Sequence, residues 1–316
     1  MSQKRDMGHP SLEFWYPTLA AKTKTRLGCG TRILSLMVSH PFRKSAKWMG
    51  HGAVSLMAIQ FDLKPGLVVY LTAGDPSLKA TREIALEAID AGAAVIELGV
   101  PFSDPLGDGP VIQRAMERAV AKGTRLVDVL ALAKEIRAAR PSAGIVIFGY
   151  LNPILRHGLS KFADETAAAG VDGVLVIDLI VEEAGEYLTE MERVGLASVF
   201  LAAPTSPDER LQAIAAASKG FIYAISRTGT TGKQQSMTAD ARALVDRIRR
   251  WSKLPVAVGF GISNAEHVAQ VGEFADAAVI GSAIVELIES STPETAPGAV
   301  ARFIRGLRLN EAALAR

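Results

Sequence analysis

Residues 94–121 read AVIELGVPFSDPLGDGPVIQRAMERAVA, an apolar run, then an acidic loop punctuated by glycine and proline, then a segment with helical spacing. The run Ala94-Val95-Ile96-Glu97-Leu98 is apolar except for one carboxylate. Near-continuous apolar runs of this length belong to strands covered on both faces, as in parallel sheets. Pro110 then falls where a first helical turn tolerates the missing N–H. The unit is strand, loop and helix, the half-repeat from which parallel α/β sheets are made.

The same unit recurs on both sides of this stretch. Strands are expected at 67–71, 94–98, 144–149, 173–177, 197–201, 221–225, 255–258 and 277–280. Helices are expected at 80–91, 110–121, 126–139, 159–169, 182–193, 207–218, 239–251, 264–271, 282–289 and 297–308. Gly92, Gly170 and Gly195 each follow a helical pattern, as left-handed C-terminal caps do. Eight strands with a helix after each, in a span of about 250 residues, predict an α/β fold of the (β/α)8 TIM-barrel type with extra short helices. A doubly wound sheet can hold as many units. The turn after the first strand, Thr72-Ala73-Gly74-Asp75-Pro76, has one glycine and not the dinucleotide-binding pattern.

Composition limits the chemistry. The 316-residue chain is 49% hydrophobic and 6% aromatic with 28 glycines, which suits a core of small aliphatic side chains and many tight turns. Cys29 is the single cysteine, so an internal disulfide and a multi-cysteine zinc site are excluded, and a reducing, cytoplasmic setting fits. Of five histidines, His9, His40 and His51 precede residue 57, and no metal site is expected. The longest apolar run near the start, Ile33-Leu34-Ser35-Leu36-Met37-Val38, is far shorter than the roughly 18 residues of a membrane span. No association with membrane or nucleic acid is expected.

The net charge of +2 conceals an asymmetry. Residues 1–56 hold nine Lys and Arg against Asp6 and Glu13, a net +7, and the rest is −5. Such a basic tail suits polyanion contact, but the favoured reading is an unstructured or non-native extension. Two regions follow: the basic extension 1–56 and a catalytic barrel domain 57–316, with Met57 as the expected biological start.

In a TIM barrel the chemistry gathers at the C-terminal ends of the strands. Glu97 ends the second strand with Ile96 and Leu98 pointing the other way, so its carboxylate is expected to face the barrel interior. A carboxylate there is costly unless it is paired, protonated or used. The alternative is a Glu satisfied by backbone or tyrosine groups. Asp108, in the loop that follows, supplies a second carboxylate in a different environment, the arrangement that divides acid from base work. Asp104 competes, but Ser103-Asp104-Pro105 reads as a turn starter.

Ser226-Arg227-Thr228-Gly229-Thr230-Thr231-Gly232-Lys233 follows the sixth strand, Gly259-Phe260-Gly261-Ile262-Ser263 the seventh and Gly281-Ser282-Ala283 the eighth. Glycine-rich loops after strands 7 and 8, with a short helix, are the usual phosphate cradle of this fold, because backbone N–H groups and a helix N-terminus favour an anion. Residues 229–234 lack the spacing of a nucleotide P-loop.

These motifs together resemble the tryptophan synthase α-chain family. The resemblance runs from about 66 to 308 and includes Glu97 to Pro110, Leu71-Thr72-Ala73-Gly74-Asp75-Pro76, Gly149-Tyr150-Leu151-Asn152-Pro153 and the three glycine-rich segments. It implies retro-aldol cleavage of indole-3-glycerol phosphate to indole and glyceraldehyde 3-phosphate, in the last steps of L-tryptophan biosynthesis. It implies Glu97 as general acid–base and Asp108 as the group holding the indole N–H. Gly232, Gly261, Gly281 and Ser282 match the phosphate site, Tyr223 and Phe260 the pocket lining, and Thr231 the lid that closes on Asp108. No cofactor is implied in this chain. Pyridoxal phosphate is implied in a β chain that would complete an α2β2 heterotetramer.

Departures are Gly107 where alanine is usual, Thr230 where valine is usual, and the segment 178–183 without its proline pair. The family's amphipathic helix before the first strand is not evident. Two other readings stay open: another phosphate-binding barrel of the same pathway, and a subunit that chiefly activates a β chain.

Overall fold

The computed structural model describes residues 59, 61–225, 234–259 and 261–309. Among them nine parallel strand segments run in chain order: β1 (Gly66–Thr72), β2 (Val95–Gly99), β3 (Gly144–Gly149), β4 (Gly173–Val176), β5 (Ala197–Val199), β6 (Leu201–Ala202), β7 (Ile222–Ile225), β8 (Val256–Gly259) and β9 (Ala277–Ile280). They form one sheet in the order β5-β4-β3-β2-β1-β9-β8-β7-β6. The first and last members of that order are two pieces of the expected strand 197–201. β5 pairs with β4, starting at Gly173 opposite Ala197, and β6 pairs with β7, Leu201 opposite Tyr223. Between them the Phe200 carbonyl accepts from the Tyr223 N–H at 3.1 Å. The strand changes partner at Phe200, and the sheet curls into a nearly closed barrel.

The two faces of each strand build two separate cores. Leu67, Val69, Leu71, Ile96, Leu98, Ile145 and Ile147 pack outward against the helices. Val68, Tyr70, Val95, Val146, Phe148 and Leu175 pack inward on one another. Because side chains alternate along a strand, Glu97 shares the inward face of β2 with Val95 and Gly99.

The surrounding helices are α1 (Leu78–Asp90), α2 (Pro110–Ala121), α3 (Leu126–Ala139), α4 (Leu151–His157), α5 (Leu159–Ala168), α6 (Gly185–Val194), α7 (Asp208–Ala217), α8 (Gln234–Arg249), α9 (Ala265–Gly272), α10 (Ser282–Glu289) and α11 (Ala296–Leu309). A 3-10 turn over Val181–Glu183 precedes α6. Helix α4 was not among the expected elements, which left 150–158 unassigned. Pro153 falls in the first turn, where its missing N–H has no intrahelical partner to lose. The Leu151 N–H is taken instead by the Asp178 carboxylate at 2.8 Å, a cap supplied by the next strand's loop.

One ion-pair network fixes the helix that follows the acidic loop. Asp75, 4% exposed, accepts from the Arg118 guanidinium of α2 through both oxygens, at 2.9 and 2.7 Å. Arg118 also reaches Glu289 of α10 at 2.7 Å. Charge-assisted bidentate pairs carry direction as well as energy, so the β1 loop, α2 and α10 are held in mutual register.

Candidate active site

Strand pairing sets the base of the site. Glu97 lies opposite Tyr70 of β1 on one side and Val146 of β3 on the other. It is fully buried, and neither carboxylate oxygen has a hydrogen-bond partner among the described residues. Burial alone pushes its carboxyl up to about 8, since a low-dielectric site disfavours the charged form. At neutral pH this carboxyl carries its proton.

Asp108 meets Glu97 from the loop. The loop folds on itself through the Asp108 N–H donating to the Pro105 carbonyl at 3.1 Å. Gln113 of α2 donates to the Asp108 carbonyl at 2.8 Å. The side chain is held by Tyr150, whose hydroxyl donates to Asp108 Oδ2 at 2.7 Å and accepts from the Gly107 N–H at 3.0 Å. Burial raises the Asp108 carboxyl to about 6, with the Tyr150 bond pulling the other way. Burial and the neighbouring Asp108 carboxylate push the Tyr150 phenol upward, so it stays a donor. Two carboxyls thus face one space with affinities for a proton that differ in the right sense, Glu97 protonated and Asp108 largely ionised near pH 7.

That space is a cavity of about 390 Å³ lined by Tyr70, Glu97, Gly107, Asp108, Gly109, Ile112, Phe148, Ile177, Leu201, Tyr223, Ile225, Val279 and Gly281. Its walls are apolar and aromatic with few polar groups, as small-molecule sites are. The Tyr70 ring stacks edge-on against Phe148 at 5.2 Å. Two glycines exist to make room for phenols. A Cβ on Gly99 would lie 2.2 Å from the Tyr70 hydroxyl, and one on Gly259 would lie 2.5 Å from the Tyr223 hydroxyl. Burial, and then the nearby carboxylates, raise both phenols, so Tyr70 and Tyr223 remain neutral.

The expected residues divide as follows. Glu97, Asp108, Tyr223 and Gly281 line the one cavity. Gly261 follows β8 with a left-handed φ of 43°, and Ser282 opens α10; neither lies in that lining. Thr231, Gly232 and Phe260 lie outside the described residues, as does Thr230. Asp104 is exposed and bonds locally: the Ser103 hydroxyl donates to its carboxylate at 2.5 Å, and its carbonyl accepts from the Leu106 N–H at 2.8 Å. Tyr70, Tyr150, Gln113 and Ile177 were not singled out from sequence as parts of the site. Inward alternation was the signal available for Tyr70 on β1 and for Ile177, two residues after the inward-facing Leu175; nothing local marks Tyr150 or Gln113.

A TIM-barrel enzyme is defined by this arrangement, with a protonated and an ionised carboxyl at the C-terminal ends of the strands and Gly281, which precedes helix α10, lining the same cavity. Comparison with known proteins narrows the class to one family. The family model described as tryptophan synthase alpha chain matches residues 57–311. The chain is 48% identical over 233 residues to the tryptophan synthase alpha chain of Solibacter usitatus, covering 74% of this chain and 87% of that one. It is 44% identical over 260 residues to that of Geobacter sulfurreducens, covering 82% and 98%. Among solved structures, a chain of the tryptophan synthase α2β2 complex of Pyrococcus furiosus superposes with a TM-score of 0.73 at 41% identity, covering 77% and 98%. The alpha subunit from Legionella pneumophila does so at 0.71 and 37%, covering 78% and 93%. The chain belongs to the tryptophan synthase alpha-chain family.

Proposed function

We propose that Glu97 and Asp108 divide the proton work of the family's reaction, the cleavage of indole-3-glycerol phosphate to indole and glyceraldehyde 3-phosphate. The chain is a carbon–carbon lyase of tryptophan biosynthesis. The observation that carries the division of roles is the pair of proton affinities, Glu97 up to about 8 by burial and Asp108 to about 6.

The reaction needs an acid and a base in turn. Glu97 gives its proton to C3 of the indole, which turns the ring into an electron sink with positive charge on its nitrogen. The Asp108 carboxylate stabilises that N–H as charge develops. Glu97, now ionised, takes the proton of the hydroxyl on the side-chain carbon bonded to the ring. The C–C bond breaks, its electrons restore the aromatic ring, and the carbon becomes the aldehyde. Glu97 ends with the proton it began with, as general acid–base catalysis requires.

Gly261, Gly281 and Ser282, with Gly232, are assigned to the phosphate, supported by the Ser282 and Ala283 N–H groups that open α10, since the next two, of Ile284 and Val285, already donate to the Gly281 carbonyl. Tyr223 and Phe260 are assigned to the ring pocket and Thr231 to a lid over Asp108. No metal or organic cofactor takes part in these steps. A β chain is the partner of this subunit. We assign the assembly as an α2β2 heterotetramer with pyridoxal phosphate in the β chain, located in the cytoplasm. Residues 57–316 are taken as the catalytic domain and 1–56 as an extension outside the chemistry. No helix among the described residues is long and apolar enough to cross a membrane.

The test is indole release from indole-3-glycerol phosphate by the purified chain, with and without a cognate β chain, for the wild type, Glu97→Gln and Asp108→Asn. Turnover undiminished in both variants refutes the assignment of roles. Activation of a β chain without indole release by any form would instead favour a purely activating subunit.

A further inference from the structure

The cavity is lined from opposite walls of the barrel. Gly281 follows β9 and Ile177 follows β4. With β5 and β6 counted as one divided strand, β4 and β9 stand four places apart in a ring of eight. Both residues line the cavity. A substrate whose phosphate sits at the start of α10 therefore extends its ring towards the end of β4.

At that wall Ile177 and the acidic loop fit each other closely. A Cβ added to Gly107 would lie 2.8 Å from Ile177 Cδ1, 3.2 Å from its Cγ1 and 3.3 Å from the Tyr150 hydroxyl. Gly107 does not have a left-handed backbone. Glycine stands there for space, not for conformational freedom. The loop has little room to back away, because the Gly107 N–H bonds the same Tyr150 hydroxyl that holds the Asp108 carboxylate. A displacement at residue 107 is passed to Asp108 through one oxygen atom.

We propose that Ile177 is a specificity-determining residue that closes the ring end of the pocket against the benzo edge of the indole, with Gly107 as its steric complement. This rests on the lyase reaction proposed above. A substituent on the benzo ring meets the Ile177 side chain, and trimming that side chain makes room for it. A side chain at 107 pushes on Ile177 and shifts Asp108; with Ile177 trimmed, the push disappears.

The experiment uses the full-length chain as wild type, Ile177→Val, Ile177→Ala, Gly107→Ala and the Ile177→Ala/Gly107→Ala double variant. Steady-state kcat/KM is measured for indole-3-glycerol phosphate and for an analogue methylated on the benzo ring. Ile177→Ala is expected to raise the ratio of methylated to unsubstituted substrate by about tenfold or more, with Ile177→Val between, the scale on which apolar pockets discriminate single carbons. Gly107→Ala is expected to lower kcat/KM by about tenfold in the wild-type background and by less than about threefold beside Ile177→Ala, the signature of coupled neighbours. An unchanged ratio in Ile177→Ala, or an equal cost of Gly107→Ala in both backgrounds, overturns the proposal.

Calorimetric affinities for a non-cleavable indolyl-alkyl phosphate and its methylated counterpart read the same ratio without turnover. A ratio that shifts in binding while no form releases indole supports the role of Ile177 and sinks the lyase reading. Ready indole release with a flat binding ratio sinks the role of Ile177 alone.

Discussion

The two ends of the barrel treat their carboxylates in opposite ways. At the N-terminal end, Asp172 and Asp276 each sit one residue before a strand, β4 and β9, and each is held by both a backbone amide and a cationic side chain. Asp172 accepts from the Ile145 N–H at 2.7 Å and from Arg137 at 2.6 Å. Asp276 accepts from the Val256 N–H at 2.9 Å and pairs with Lys64 and Arg249, both at 3.3 Å. Each ties its own strand to the preceding one, β3 or β8, through a backbone amide. At the C-terminal end Glu97 has no partner among the described residues, and Asp108 has one phenol. Paired carboxylates hold a structure in place. A buried carboxyl without partners keeps its proton for another use, at some cost in stability.

This contrast is broken most severely by Glu97→Gln, which keeps shape and neutrality but cannot exchange a proton. Indole release is expected to fall about a thousandfold, within the usual range for a general acid–base. Asp108→Asn is expected to cost about a hundredfold, since it removes the charge that faces the developing indole cation while leaving a side chain for Tyr150 to bond. Single-turnover indole release measures both, and a loss in Asp108→Asn larger than in Glu97→Gln would reverse the roles of the two carboxyls.

At the other end the effect should be on folding and not on rate. Asp172→Ala strands the Ile145 amide and takes the carboxylate from Arg137, which keeps the Gly170, Pro141 and Ala143 carbonyls, and is expected to cost about 2 kcal/mol in urea unfolding, with kcat unchanged. A large fall in kcat at full stability would erase the division between the ends.

A more graded effect, spread over several pH units, follows from the proton on Glu97. Below pH 4.5, the ordinary value for this group, folded and unfolded chains both carry it, and burial adds no pH-dependent penalty. Between there and about 8 only the folded chain does, so stability relative to Glu97→Gln falls by about 1.4 kcal/mol per pH unit, then levels off. Denaturant titrations of the two proteins across that window give the difference directly. A stability gap independent of pH would mean that Glu97 is ionised in the folded chain.

The strand-helix alternation was legible because strands buried on both faces and covered by helices leave long apolar runs of a recognisable length. Glu97 was legible for the same reason, as the one charge within such a run. The break at Phe200 was not, because a change of pairing partner leaves no mark on hydropathy. Helix α4 was missed because its first N–H is capped by Asp178, 27 positions away in sequence. The site divided in the same way. Asp108 could be proposed from its loop, but Tyr150, which orients it, lies 42 positions away on another strand's end. Gly107, legible in the sequence only as a departure from the usual alanine, turns out to be a point of close packing against Ile177.

By itself the sequence determined the order of elements, the barrel class and the two carboxyls, because these depend on burial patterns and local turns that recur along the chain. Only the tertiary structure decided that Glu97 is buried without a partner among the described residues, which phenols surround the pair and which wall faces the acidic loop. Those depend on desolvation and on contacts between residues far apart in the chain, which exist only once the barrel has closed.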